Sequence, residues 1–324
     1  MTSRRQLLFA LGAGGFAAPL GLLAQAPQRI ARIGYLGAVS QADHAERLKE
    51  FRAGLRELGY VEGKNFLIEF RWAQGKNERL SELANDLVRL KVDVIVTHSA
   101  PGVRAAKQAT TTIPIVIAQT GDAVASGLVA SESRPGGNIT GLSFFNPEIA
   151  AKRLELLKEV FPRIRRVALL VHPDNLGTIP ATETAAKVLN LELQRFAVRH
   201  PDELERAFAA MSKQRVEAVS IVEAAMLIAN SGPAANLANG YRIPSVGFIE
   251  VGEAGGLIAY GVKFPPMFRR AAVFVDKILK GANPGDLPIE RATQFELIVN
   301  QKTAKALGVT IPQSMLLRAD KVIE

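Results

Sequence analysis

The sequence predicts an α/β protein built from two doubly wound parallel-sheet lobes that are joined by a hinge. Three observations favour this class: short apolar runs alternate with helical patterns, the same order of elements occurs twice, and two extended segments lead out of the two halves. The length of 324 residues suits two domains. Because 48% of the residues are hydrophobic and 22% are charged, wholesale disorder, a fibrous repeat and a many-span membrane protein are excluded.

The N-terminal segment has the three parts of a secretory signal peptide. Arg4 and Arg5 precede an uncharged stretch over residues 6–28 that is rich in Leu, Ala and Gly, with Ala24-Gln25-Ala26 near its end. We therefore expect residues 1–26 to be removed during export, by the Sec or the twin-arginine route, so that the mature chain is periplasmic. A short membrane anchor or core helix is the alternative, but the glycines of this stretch disfavour a spanning helix.

The first half alternates strand and helix patterns. In chain order they predict a strand, a helix, a strand, a helix and two strands, over residues 30–36, 43–59, 66–70, 77–91, 92–96 and 115–118. The helices are indicated by leucines at intervals of three or four residues. The continuous apolar runs are typical of parallel strands that are covered on both faces. Together they predict a βαβ arrangement.

Three strand-like segments of the first half recur in the second half. The recurring segments begin at Arg29, Lys91 and Thr112 in the first half and at Arg163, Arg215 and Arg242 in the second. The offsets are 134, 124 and 130 residues, so small loop insertions explain their differences. This order predicts two lobes on one plan, although chance similarity between generic buried strands is the alternative.

Two short extended segments, residues 138–143 and 256–262, lead out of the two halves. A chain that crosses twice between lobes through such segments forms a hinge above a cleft, where we expect the ligand. In the tail, a strand over 295–299 and a helix over 302–307 are predicted, but the pattern assigns the tail to neither lobe. The expected domains are the signal peptide 1–26, an N-lobe of 27–142 plus about 264–282, a C-lobe of 143–263, and a tail of 283–324 that packs on the lobes.

Few catalytic motifs occur in the sequence. Cysteine is absent, which excludes disulfides, thiolate metal sites, a cysteine nucleophile and a lipid-anchoring cysteine. The four histidines lack the spacing of a helix-borne metal pair, and no nucleophile elbow is present. We therefore expect a binding protein with no metal and no cofactor, rather than an enzyme.

Polar residues follow the predicted strand ends, where open α/β sheets bind ligands. Ser99 stands at a helix start that would favour a carboxylate, and capping alone is its alternative role. Either Phe144 or Phe145 could form an apolar wall, with core packing as the alternative, whereas His98 is expected to be structural. The predicted ligand-binding residues are Ser40, Gln41, Ser99, Thr120, Asp122, Phe144, Asn175, Glu223 and Glu250.

Several segments of the sequence are typical of one protein family: residues 59–65 (GYVEGKN), 91–96 (KVDVIV), 112–116 (TIPIV), 134–141 (RPGGNITG) and 295–300 (FELIVN). Through them, and over nearly its whole mature length, the chain resembles the ABC-transporter substrate-binding proteins that include binders of aromatic amino acids. This resemblance implies the type I periplasmic binding protein fold, a small-molecule ligand in the cleft, and delivery of that ligand to the membrane permease of an ABC importer.

One departure from that resemblance concerns the ligand. Amino-acid binders of this family tend to carry Thr-Asp-Asn after the third strand of the second lobe, whereas this chain has Glu223-Ala224-Ala225. Glu223 could still supply a carboxylate for a ligand ammonium, one residue early, but the two alanines remove hydrogen-bonding groups. An aromatic or apolar carboxylate therefore competes with an amino acid as the predicted ligand.

The formal net charge of +9 falls to +7 without Arg4 and Arg5, and we place the remaining charge on surface helices such as residues 47–56, 152–166 and 263–280. No DNA-reading module precedes the first strand, so neither nucleic-acid binding nor a repressor is expected. The expected protein is a freely diffusing monomer. An extracytoplasmic ligand sensor remains an alternative, as does a secreted enzyme that uses Asp122, Glu223 or Glu250.

Overall fold

The computed structural model describes residues 30–144, 146–173 and 179–324, which form two mostly parallel sheets with helices on their faces. The predicted signal peptide, Phe145 and Asn175 lie outside the described residues. The elements of the first half are β1 (Ala31–Gly37), α1 (Ala45–Glu57), β2 (Phe66–Trp72), α2 (Leu80–Arg89), β3 (Val94–His98), α3 (Ser99–Ala109), β4 (Ile115–Gln119) and β5 (Ile139–Ser143).

The second half repeats this order with additional short helices. Its elements are α4 (Asn146–Val160), β6 (Arg166–Val171), α5 (Ile179–Val188), β7 (Glu192–Ala197), α6 (Leu204–Lys213), β8 (Ala218–Ile221), α7 (Ala225–Ala229), α8 (Ser231–Gly240), β9 (Ser245–Gly247), α9 (Ile249–Glu253) and β10 (Ile258–Val262). The remaining elements are α10 (Phe264–Leu279), β11 (Glu290–Arg291), β12 (Phe295–Asn300), α11 (Gln301–Leu307), α12 (Gln313–Arg318) and β13 (Lys321–Ile323).

The two sheets have one strand order in common. The sheet of the N-lobe runs β11-β5-β4-β3-β1-β2, and that of the C-lobe runs β13-β12-β10-β9-β8-β6-β7. Without the strands of the tail, both follow the order fifth, fourth, third, first, second. The predicted fold class, two doubly wound lobes on one plan, is therefore confirmed.

The repeat extends to the turns between helix and strand. Lys91 and Arg215, which begin two of the recurring sequence segments, have φ values of 53° and 54°, in the left-handed region. Each ends a helix and turns the chain into the next strand, so β3 and β8 begin three residues after these turn residues. The apolar pattern alone had placed the first of these strands two residues early.

Helix α10 follows the C-lobe in sequence but packs on the N-lobe. Its buried face joins the N-lobe core and consists of Phe264, Met267, Phe268, Ala271, Ala272, Phe274, Val275 and Ile278. Gly54 allows the close approach of α1, because a Cβ there would lie 2.5 Å from the carbonyl oxygen of Arg269. The N-lobe core is thus closed by a helix that comes after the first five strands of the second lobe.

The chain crosses between the lobes three times, not twice as the sequence led us to expect. The third crossing lies between β11, which pairs with β5 in the N-lobe, and β12, which pairs with β10 in the C-lobe. The tail therefore contributes strands to both sheets. β11 was missed because it is only two residues long, and Glu290 and Arg291 give no apolar pattern. Across the described ranges, no helix is both long and apolar enough to cross a membrane.

Candidate ligand-binding cleft

A cavity of about 890 Å³ lies between the lobes and is lined by residues from both. Its lining residues follow the carboxyl ends of all five strands β1 to β5 in the N-lobe and of β6, β7 and β8 in the C-lobe. This is the edge at which doubly wound sheets bind ligands. The repeated fold therefore places two such edges face to face around one space.

Five of the nine predicted ligand-binding residues line this cavity, namely Ser99, Thr120, Asp122, Phe144 and Glu223. Ser40, Gln41 and Glu250 are not among the lining residues, and Asn175 lies outside the described part of the chain. The role of each in binding stays a prediction. Asp43, His44, Arg47 and Gln119 also line the cavity but were not in the predicted set.

Ser40 and Gln41 belong to the turn that follows β1. The Ser40 hydroxyl donates to a carboxylate oxygen of Asp43 at 2.5 Å and accepts from the Asp43 backbone N–H at 3.2 Å. Gln41 is exposed. The hydroxyl of Ser40 therefore orders its own turn, and the next residues, Asp43 and His44, reach the cavity instead.

The N-lobe wall holds polar atoms that are buried and unpaired. Among the described residues, Ser99 Oγ, Thr120 Oγ1 and Gln119 Oε1 are buried without a hydrogen-bond partner. Such groups are rare in folded proteins because leaving them unpaired costs about 1–3 kcal/mol each. All three residues line the cavity, so this unused hydrogen-bonding capacity lies directly beside it.

Ser99 begins α3 with a φ of 64°, a conformation that residues with a side chain seldom adopt. The first residues of this eleven-residue helix, Ser99 to Pro101, line the cavity, and the helix start carries the positive end of the helix dipole. Gly102 keeps the helix start close to β3, because a Cβ there would lie 2.6 Å from Thr97 Oγ1. Ser99, Thr120 and the start of α3 together form a surface suited to an anionic oxygen.

Two neutral histidines pack against each other on the N-lobe side of the cavity. The rings of His44 and His98 stack with centroids 4.2 Å apart, and His98 Nε2 accepts the Ala38 backbone N–H at 3.2 Å. Burial, with repulsion from Arg47, lowers the pKa of His98 to about 3. Burial, His98 and Arg47 hold the pKa of His44 well below its ordinary value. This packing agrees with the structural role expected of His98.

The C-lobe wall is apolar next to Glu223. Ala224, Ala225, Ile228 and Ala229, around the short helix α7, line the cavity with methyl and methylene groups. Phe144 is only 4% exposed and packs on Phe264 with ring centroids 5.2 Å apart. Its ring belongs to the N-lobe core and presents only a small part to the cavity.

Glu223 forms a buried ion pair with Arg153 of α4. Arg153 donates from Nη1 to Glu223 Oε2 at 2.7 Å and from Nη2 to Oε1, while its Nε donates to the Tyr260 carbonyl at 2.7 Å. The side chains are 1% and 3% exposed. The negative charge of Glu223 is therefore compensated inside the C-lobe.

Glu250 connects the lobes instead of lining the cavity. It forms a 2.5 Å ion pair with Arg47 of α1, and the Arg47 guanidinium lies 5.4 Å from the ring centroid of Phe264. Burial raises the pKa of Glu250, and the charge of Arg47 only partly offsets this. Arg47 and Arg153 lie in helices that we had placed on the surface, yet they are only 8% and 1% exposed. That expectation was wrong for these two residues because each pairs with a distant glutamate.

The described part of the chain holds no cluster of histidine and carboxylate side chains suited to a metal ion. The chain matches the family of ABC transporter substrate binding proteins over residues 33–323. A relative named tyrosine-binding protein, from Clostridioides difficile strain R20291, is 27% identical over 265 residues, which are 81% of this chain and 76% of the relative. The predicted family resemblance is therefore confirmed.

Two solved structures share the two-lobe fold. One is a conserved domain protein from Vibrio cholerae, with a TM-score of 0.85 and 26% identity, covering 91% of this chain and 100% of that one. The other is a domain from Streptococcus pneumonia in complex with L-Trp, with a TM-score of 0.84 and 26% identity over the same shares of the two chains.

Proposed function

The chain belongs to the family of ABC transporter substrate-binding proteins, and on that premise we propose that it is the exported receptor of an ABC importer. Its ligand is a small organic carboxylate held between the lobes. The observation that carries this proposal is the interlobe cavity, which has unpaired hydroxyls on one wall and, on the other, methyl groups beside Glu223. A ligand that contacts both walls favours the closed arrangement, which the permease then recognises.

The carboxylate is assigned to the N-lobe wall. Ser99 Oγ, Thr120 Oγ1 and the backbone N–H groups of Ser99 and Ala100 can donate to its oxygens, and the start of α3 adds the positive end of the helix dipole. The body of the ligand then faces Ala225 and Ile228 of the C-lobe. Relatives that bind tyrosine or L-Trp support a ligand with a carboxylate and an aromatic ring.

Export to the periplasm is supported by the predicted signal peptide over residues 1–26 and by the family to which the chain belongs. The permease of an ABC importer is the partner that this family implies. We propose that the mature receptor is a monomer that reaches the permease by diffusion.

Binding rather than catalysis is supported by the state of the three candidate acid–base residues. Glu223 is paired with Arg153 and Glu250 with Arg47. Asp122 Oδ1 accepts hydrogen bonds from the backbone N–H groups of Val124 and Ala125, at 2.9 and 2.8 Å. A general acid or base must exchange a proton with a substrate, and each of these carboxylates is instead engaged within the protein.

The test is a ligand screen on purified mature protein. A library of organic acids and amino acids is added, and the melting temperature and the radius of gyration are measured. We expect a ligand to raise the melting temperature and to reduce the radius of gyration. At one hundred times its Kd, the ligand should add about 2.7 kcal/mol to the free energy of unfolding. The matched control is a Ser99→Ala/Thr120→Val variant, which should lose both responses. A library without any responding compound would refute the receptor function.

A further inference from the structure

The charges around the cleft determine which kind of carboxylate it can take, given the receptor function proposed above. An amino acid brings an ammonium group as well as a carboxylate. Removing an ammonium from water is costly unless a carboxylate with uncompensated charge meets it. An amino-acid site therefore needs such a carboxylate in the buried part of the cavity.

The described lining residues include four acids. Asp43 and Glu78 are exposed at the mouth of the cavity, and Asp122 is half-buried, with Oδ1 committed to its own turn. Glu223 is the one acid of the four that is fully buried. Of the acids among the described lining residues, Glu223 is therefore the one that could meet a ligand ammonium away from water.

Glu223 already carries its counter-charge. Both of its oxygens accept from Arg153, a side chain that is itself 1% exposed and that is held by the Tyr260 carbonyl. Turning Glu223 towards a ligand ammonium would leave the Arg153 guanidinium buried without its partner. The pair is neutral as a whole, so it provides little net attraction for a second cation.

The groups beside Glu223 favour an apolar part of a ligand over an ammonium group. Ala224, Ala225, Ile228 and Ala229 line the cavity next to the ion pair and offer no side-chain acceptor to an ammonium. On the opposite wall, Ser99 and Thr120 present hydroxyls at a helix start that suits an anion. One end of the ligand is therefore anionic and hydrogen-bonded, and the part that lies beside Glu223 meets an apolar surface.

We infer that the cleft selects a monocarboxylate with a compact apolar or aromatic body and no α-ammonium group. Such a ligand places its only charge at the start of α3 and leaves the Arg153–Glu223 pair intact. The ligand class is thus the aryl- or alkyl-substituted carboxylic acids, in contrast to the amino acids that the similar proteins bind.

The test compares ligands that differ only by the α-ammonium. The pairs are 3-phenylpropionate with L-phenylalanine, 3-(4-hydroxyphenyl)propionate with L-tyrosine, and indole-3-propionate with L-tryptophan. Titration calorimetry at pH 7 should give Kd values at least about ten-fold lower for the deamino acid of a pair. Each compound found in the library screen is also compared with its amino or deamino counterpart.

An amino acid that binds as tightly as its deamino partner would overturn this inference and leave the receptor function standing. If every library hit carries an α-ammonium or lacks a carboxylate, the inference is also overturned. If no compound moves the melting temperature or the radius, the receptor function fails and the inference falls with it.

Two variants test the role of the Arg153–Glu223 ion pair. The measured quantity is the Kd of an amino acid divided by the Kd of its deamino counterpart. Arg153→Met exposes Glu223 to the ligand, so the preference for the deamino acid should fall by about ten-fold. Arg153→Met/Glu223→Met removes both charges and should restore the wild-type ratio. Should the single variant fail to fold, the double variant still decides. If Glu223 recognises an ammonium in the wild type, the double variant weakens amino-acid binding alone and the ratio rises.

Discussion

The two walls of the cleft are built on the same strand order but differ in how their polar groups are used. After β3 the chain places Ser99 and, after β4, Thr120, whose hydroxyls are buried and unpaired. After the equivalent strand β8 it places Glu223, which is paired within its own lobe, followed by two alanines. A duplicated scaffold thus provides one hydrogen-bonding wall and one self-satisfied wall. The difference teaches that a repeated fold can hold a ligand whose two ends differ in chemistry.

The largest expected effect comes from breaking the internal pairing of the C-lobe wall. Arg153→Met leaves Glu223 buried without its counter-charge, so the free energy of unfolding should fall by about 3–5 kcal/mol. Urea denaturation of the ligand-free protein measures this. Arg153→Met/Glu223→Met should recover most of the loss, since apolar replacements of a buried pair are tolerated. A single variant as stable as the wild type would show that the C-lobe wall does not depend on the pair.

Burial of His98 in the N-lobe should make the free energy of unfolding depend on pH. In the unfolded chain His98 titrates near 6.5, whereas in the folded protein its pKa is about 3. Between these values the unfolded state binds the extra proton, so stability is full above about pH 7 and falls as the pH falls towards 3. The loss from His98 alone should be about 2 kcal/mol between pH 8 and pH 5.

His98→Gln tests that contribution, because its side-chain oxygen can still accept the Ala38 N–H but does not titrate. Denaturation curves at pH 8 and pH 5 should show a smaller pH dependence in the variant. Equal pH dependence in the two proteins would mean that another group is responsible.

Removing the hydroxyls of the N-lobe wall should affect binding and not folding. Ser99→Ala and Thr120→Val should each raise the Kd of the ligand about ten-fold, because each removes one hydrogen bond to a charged group. The stability of the ligand-free protein should stay the same or rise slightly, since an unpaired buried polar atom is lost. Calorimetric titration and thermal melting measure the two effects. A loss of stability without a loss of affinity would reassign these hydroxyls to structure.

The smallest effect is expected where the two walls are joined. Glu250→Gln weakens the ion pair with Arg47. The Arg47 side chain is 10% exposed and that of Glu250 is 27% exposed, so the free energy of lobe closure should become less favourable by about 1 kcal/mol. The radius of gyration without ligand should increase and the ligand Kd should rise a few-fold. Glu155→Gln, which disrupts an exposed pair with Lys152 inside one lobe, is the matched control and should change neither quantity.

The fold could be predicted from the sequence because its signals are local. Leucines at helical spacing, such as Leu80, Leu83 and Leu87, and continuous apolar strands depend only on neighbours in the chain. The recurring segments added the lobe plan. The third crossing could not be predicted, because β11 is paired by the backbone of β5 and carries no pattern of its own.

The site could be predicted only where position alone marks it. Ser99 and Thr120 follow strand ends, and that is sufficient to place them at the cavity. The partners of Glu223 and Glu250 lie 70 and 203 residues away in sequence, so no local pattern connects them. Arg47 and Arg153 have the sequence surroundings of ordinary surface helices, and only the tertiary fold shows that they are buried.

The position of α10 has a consequence for the order in which the protein can be completed during synthesis. The last shared strand of the N-lobe sheet ends at Ser143, but the helix that covers this lobe ends at Leu279, after the first five strands of the C-lobe, β6 to β10. Until then, the core residues that α10 covers, among them Phe51 and Leu55, have no partner on that side. The lobe that is synthesised first therefore stays incomplete until most of the second lobe has been made, and a fragment ending at residue 143 should expose an aromatic surface and aggregate.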